Sequence, residues 1–85
     1  QRGQAELAET HIRTALRYRP DDVDALANLA LALKAQGQVE AAIGACQAVL
    51  SFAPQHGATL NNLANILKGQ GQAEQAVGYY RQAIA

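Results

Sequence analysis

The chain has 85 residues, seven Lys and Arg against seven Asp and Glu, and one Cys. That length holds one small domain, and a formal charge of zero argues against a nucleic-acid binder, which ordinarily carries a basic excess. One Cys cannot close an internal disulfide, no Cys/His cluster has metal-ligand spacing, and no apolar run reaches the roughly 18 residues that span a bilayer.

The expectation is therefore a chain with no cofactor, no metal and no membrane segment, whose core must hold without a covalent staple. No basic-then-apolar signal segment opens it, and an unpaired Cys favours the cytoplasm. The absence of an initiator Met suggests a processed chain or a piece of a longer one. Heavy use of Ala and only two Pro favour helix throughout, because Ala is the best helix former and Pro the strongest breaker.

The first predicted helix, 5–18, follows Gly3 and turns Leu7, Ala8, Ile12, Ala15 and Leu16 inward; Pro20 lies beyond it. Asp21 or Asp22 can cap the second helix, since a short acceptor satisfies its unpaired backbone N–H groups. Leu26, Leu29, Ala30 and Leu33 then fall on one face, and Gly37 ends the helix in a left-handed turn. Glu40 opens the third helix, where a carboxylate complements the dipole. Its stripe is Val39, Ala42, Ile43, Cys46, Val49 and Leu50, and Pro54 stops it. The fourth helix carries Leu60, Leu63, Ala64 and Leu67 and ends at Gly71. The fifth, 73–85, carries Ala76, Val77, Tyr80, Ala83 and Ile84. Gly44 and Gly78 sit mid-helix, where a closely approaching backbone would account for them.

These elements repeat every 34 residues. Gly3, Gly37 and Gly71 keep that spacing, as do Glu6, Glu40 and Glu74, and Ala8, Ala42 and Ala76. Aligning 23–51 with 57–85 makes 12 of 29 pairs identical, where this composition gives roughly three by chance. Two antiparallel helices per period, with Ala where they cross, are the signature of an all-α solenoid, here of five helices. The units divide as 1–22, a second helix alone; 23–56, a complete unit; and 57–85, a unit without a following capping helix.

The set Leu26, Leu29, Ala30, Leu33, Gly37, Ala42, Cys46, Val49 and Pro54, with its copy Leu60, Leu63, Ala64, Leu67, Gly71, Ala76, Tyr80 and Ala83, resembles the tetratricopeptide repeat pattern over essentially the whole chain. Leu stands where the family has Trp and Tyr in the first helix, Cys46 where it has an aromatic, and Val49 where it has Ala. Asn28 and Asn62 are similar to the Asn ladder of peptide O-GlcNAc transferase arrays.

The resemblance implies a right-handed α-solenoid with a concave groove lined by the first helix of each unit and used to hold a peptide or partner protein. The side away from the second helix holds Asp24, Ala27, Asn28, Leu31 and Lys34, and then Ala58, Asn61, Asn62, Asn65 and Lys68. An Asn amide has both donor and acceptor and can bridge a peptide backbone whatever its side chains, while two Lys along one edge favour an acidic partner. Each Asn could equally be solvated or packed within the repeat, and Lys34 and Lys68 read first as solvated surface charges. Asp24, Ala27 and Ala58 stand where carboxylate-clamp members of the family carry basic or amide groups, so chaperone-tail binding is disfavoured.

No catalytic constellation is present, and the expectation is a non-enzyme. Cys46 lies on an inward stripe, His11 and His56 read as surface histidines, and no glycine-rich phosphate loop occurs. The leading expectation is an interaction scaffold. The alternatives are the substrate-recruiting arm of a larger enzyme, such as an O-GlcNAc-type glycosyltransferase, and a self-assembling piece. In the last, Leu7 and Ile12 at one end and Tyr80, Ala83 and Ile84 at the other would pair chains into a homo-oligomer, because solenoid ends need polar caps.

Overall fold

Five α-helices form the computed structural model, which describes residues 2–84: α1 Arg2–Tyr18, α2 Val23–Ala35, α3 Val39–Phe52, α4 Gly57–Gly69 and α5 Ala73–Ile84. Gln1 and Ala85, the outer limits of the expected first and last units, lie outside the described residues. Each helix packs on the next, α1 on α2 through to α4 on α5, with α3 and α4 meeting most sparsely. The slab measures 34 × 26 × 16 Å. Its accessible surface of 5343 Å² exceeds the roughly 4,900 Å² of a compact protein of this mass, as stacking without a central core requires.

Local chemistry sets the helix ends. Of the two candidate caps for α2, the structure selects Asp22, whose Oδ1 accepts from the Ala25 backbone N–H at 3.1 Å. The same register at α4 holds His56. Its Nδ1 accepts from the Thr59 N–H at 3.3 Å and lies 2.8 Å from the Thr59 hydroxyl. The expectation of a plain surface histidine is thus corrected: His56 is half-buried and caps a helix.

At the other ends, Gly37 and Gly71 have φ of +78° and +81°. In both turns the glycine N–H bonds back to the Lys carbonyl and the following Gln N–H to the Leu carbonyl. This six-residue pattern satisfies terminal carbonyls and needs a left-handed residue. Ala53, just before Pro54, leaves the helical region at φ −138° and ends α3.

The core runs between the helix pairs. Leu29, Ala30, Leu33, Ala42, Cys46, Val49, Leu60, Leu63, Ala64, Leu67 and Ala76 are buried, as the stripes predicted, and Ala32, Ala45 and Ile66 join them. Each fully buried Leu or Val contributes about 1.5–3 kcal/mol relative to exposure. The outer helices differ from the middle ones. Ala42, Cys46 and Val49 are sealed, yet Ala8 and Ala15 of the preceding copy are exposed and Ile12 is half-buried. Leu7, expected inward, is 59% exposed, and Ala5 is the buried residue of that stretch. On α5, Val77 and Ile84 are likewise exposed. Helices flank the α3 stripe on both sides; on α5, which packs on α4, Ala76 alone of the stripe is sealed.

The mid-helix glycines need a second correction. A Cβ built at Gly44 or Gly78 meets nothing within 4 Å, so no neighbouring backbone explains either one.

A polar tie joins α1 to α2. Buried Gln36 donates through Nε2 to the Glu9 carboxylate at 2.7 Å and accepts through Oε1 from Gln38 at 2.9 Å. Arg13 Nε donates to the other Glu9 oxygen at 2.6 Å. The Gln36 hydrogen bond, and then Arg13, hold the Glu9 carboxyl below its usual range.

Candidate interaction groove

The outward faces of α2 and α4 are built by the same register that buries their Leu stripes. Asp24, Asn28, Leu31 and Lys34 are exposed on α2, with Ala27 half-buried. On α4, Ala58, Asn61, Asn65 and Lys68 are exposed and Asn62 is half-buried. Leu31, 45% exposed, is the large apolar residue of the row. The single ion pair among the described residues is Glu9–Arg13, so Lys34 and Lys68 carry no carboxylate partner there.

The structure brings two of these residues together. Lys34 and Asn65 share a hollow of about 210 Å³ with Val39, Ile66, Gly69 and Gln70, between the ends of α2 and α4 and the start of α3. Asp24, Asn28, Leu31, Asn61, Asn62 and Lys68 lie along the faces but outside that hollow. Val39, Ile66, Gly69 and Gln70 were not among the expected groove residues. A sequence signal for two of the wall positions existed nonetheless: one period earlier, Leu31 and Ala35 stand where this wall has Asn65 and Gly69.

Asn65 also has a role no spacing rule disclosed. Its side-chain oxygen accepts a hydrogen bond from the Tyr80 hydroxyl on α5. Both N–H donors of that amide and one lone pair of its oxygen remain for other partners. Tyr80, expected as a self-association residue, is half-buried against the core, as is Ile12. Ala83 is half-buried as well, which leaves Leu7 and Ile84 as the bare members of that set.

Cys46 is fully buried, and burial pushes its thiol up, with Lys34 offsetting only part of the shift. Among the described residues, no group of three or more His, Cys, Asp or Glu side chains could hold a metal ion, and no helix is long and apolar enough to cross a membrane.

Comparison with known proteins agrees with this geometry. The chain superposes on a crystal structure of MamA with a TM-score of 0.90 at 22% identity, covering 95% of this chain and 47% of that one. A second structure, "MamA MSR-1 C2", gives 0.85 at 21% identity, covering 94% and 46%. The chain therefore spans less than half the length of these proteins, and identities this low show the shared fold alone. No curated protein matches. Two family models described as tetratricopeptide repeat match, one over residues 1–57 and the other over 57–85. With the 34-residue period, the left-handed Gly turns and the stacked helix pairs all in place, the chain belongs to the tetratricopeptide repeat family, a fold of protein-interaction scaffolds that are typically non-catalytic.

Proposed function

We propose that this chain is a protein-interaction segment that holds a peptide or partner protein along α2 and α4. The observation that carries the reading is the pair of solvent-facing rows, Asp24, Asn28, Leu31 and Lys34 on α2 and Asn61, Asn65 and Lys68 on α4. They are rich in amides and contain two cations without a carboxylate partner among the described residues. Rows of this kind, on helices held rigid by a sealed Leu stripe, suit capture of a peptide backbone by side-chain amides. The unit boundaries at 22/23 and 56/57 give one such row to each first-type helix.

The test is selection of binders from a random peptide library on the immobilised 85-residue chain, followed by the double variant Asn28→Ala with Asn61→Ala. Each lost hydrogen-bond set is worth about 0.5–1.5 kcal/mol, so selected peptides should weaken roughly tenfold with far-UV circular dichroism unchanged. Unaltered affinity in the double variant refutes the groove.

The narrower likeness to O-GlcNAc transferase arrays, and with it the role of a recruiting arm, rests on Asn28 and Asn62 alone; the MamA superpositions lend it no support. Self-association is favoured by one observation, the exposure of Leu7 at 59% on α1 and Ile84 at 88% on α5. A sedimentation coefficient that stays monomeric at millimolar concentration counts against it.

A further inference from the structure

The hollow at Lys34 differs from the rest of the groove in three ways. First, it has a size. At about 210 Å³ it falls below the roughly 300–1,000 Å³ that takes a drug-sized ligand or cofactor, and suits a side chain or two of a larger partner. Second, it has mixed walls: Val39 and Ile66 are apolar, while Lys34, Asn65 and Gln70 are polar. Third, its charge has one sign: Lys34 is the charged side chain on the wall, and the amides of Asn65 and Gln70 add N–H donors beside it. No carboxylate lines the hollow to neutralise the ammonium.

Two changes within the repeat accompany this hollow. The residues one period before Asn65 and Gly69 are Leu31 and Ala35. Replacing Leu with Asn supplies the donor, and replacing Ala with Gly thins the wall. A Cβ built at Gly69 meets nothing within 4 Å, so the position faces open space.

We propose that this hollow is an anchor subsite for a partner segment in which an acidic residue adjoins an aliphatic one. The carboxylate accepts from the Lys34 ammonium and the Asn65 amide, and the aliphatic side chain covers Val39 and Ile66. Charge complementarity chooses this occupant: an ammonium with no carboxylate partner among the described residues rejects a basic segment, and a purely apolar one leaves that charge unmet. The subsite rests on the groove reading above and adds the chemistry of the partner.

The experiment is a two-dimensional amide NMR titration of the chain with an acetylated, amidated octapeptide centred on Glu-Leu-Glu-Leu. Two sister peptides carry Gln-Leu-Gln-Leu and Glu-Ser-Glu-Ser. The expected result is a set of shifts confined to Lys34, Val39, Asn65, Ile66 and Gly69, with both sisters at least about threefold weaker. Lys34→Gln should weaken the parent peptide about fivefold, the upper range for a partly exposed charge pair. Gly69→Leu, which fills the hollow without altering charge, should abolish the shifts. Arg17→Gln, on exposed α1, should leave them unchanged. Shifts that spread along Asn28 and Asn61 with Lys34→Gln and Gly69→Leu both silent overturn the subsite and leave the groove standing. Absence of any shift at millimolar peptide overturns the subsite, and the library selection then decides the groove separately. Concentration-dependent shifts at the same residues without peptide overturn it in favour of contact between copies.

Discussion

Gly37 and Gly44 lie seven residues apart, and the same substitution should act on them with opposite sign. At Gly44 the backbone is helical, the residue is exposed, and an added Cβ meets nothing within 4 Å. No packing is gained and no clash arises, so only intrinsic propensity acts. Gly is about 0.8–1.0 kcal/mol less favourable than Ala in a helix interior, and Gly44→Ala should stabilise by about that much. Gly78 is its copy in α5, also with open space around it, and the double variant should gain about 1.5–2 kcal/mol because the sites do not touch. At Gly37 the space is equally open, but φ is +78°. A left-handed non-glycine residue is disfavoured by about 1–2 kcal/mol, and part of this is offset by the stiffer unfolded chain. Gly37→Ala should therefore destabilise by about 1 kcal/mol. Urea unfolding followed by helical circular dichroism separates the two, as does a melting shift of about 4–8 °C in opposite directions. A neutral or destabilising Gly44→Ala with unchanged urea dependence would refute the reasoning, since something must then occupy the space beside that helix. A stabilising Gly37→Ala would refute the left-handed turn.

Two other outcomes follow from named contacts. Glu9 is held below the ordinary carboxylate range by Gln36 and Arg13, so its folded form prefers the charged state. Its contribution to stability is present in full above the unfolded carboxylate range and is lost as pH falls through the depressed folded value. Urea midpoints from neutral pH down to strongly acidic pH should fall more steeply in the wild type than in Glu9→Gln; parallel curves would show that the α1–α2 tie carries no proton linkage. His56 occupies the cap position that Asp22 holds one period earlier. His56→Ala should cost about 1 kcal/mol and orphan the buried Thr59 hydroxyl, whereas His56→Asp should at least retain the cap. Equal urea midpoints for the two variants would rule out that cap.

Much of the architecture was legible in the residues because it is local. A Leu stripe at helical spacing, a short acceptor before it and a glycine after it specify a helix and both its ends within some fifteen residues. Repetition at 34 then states which surfaces stack. Burial at the outer helices was not legible in the same way. Ala8 and Ala42 sit in the same register, and their difference in exposure comes from what flanks them. The His56 cap is hard to see in the sequence because histidine is an unusual cap, although its position one period after Asp22 marks it. The groove faces could be assigned from the helical wheel, but the hollow could not. It draws on three helices at once, and its outline depends on how they cross.

The 85 residues by themselves determined a helical repeat, its period, its turn chemistry and the faces turned inward and outward, since each follows from spacing and backbone preference along one stretch of chain. Tertiary structure alone decided that Tyr80 ties Asn65 across 15 residues, that Gln36 reaches Glu9 across 27, and that Lys34 and Asn65 meet over one hollow. Those pairings depend on side-chain direction at a helix crossing, where a shift of one rotamer or a few ångströms changes the partner, and no periodicity records it.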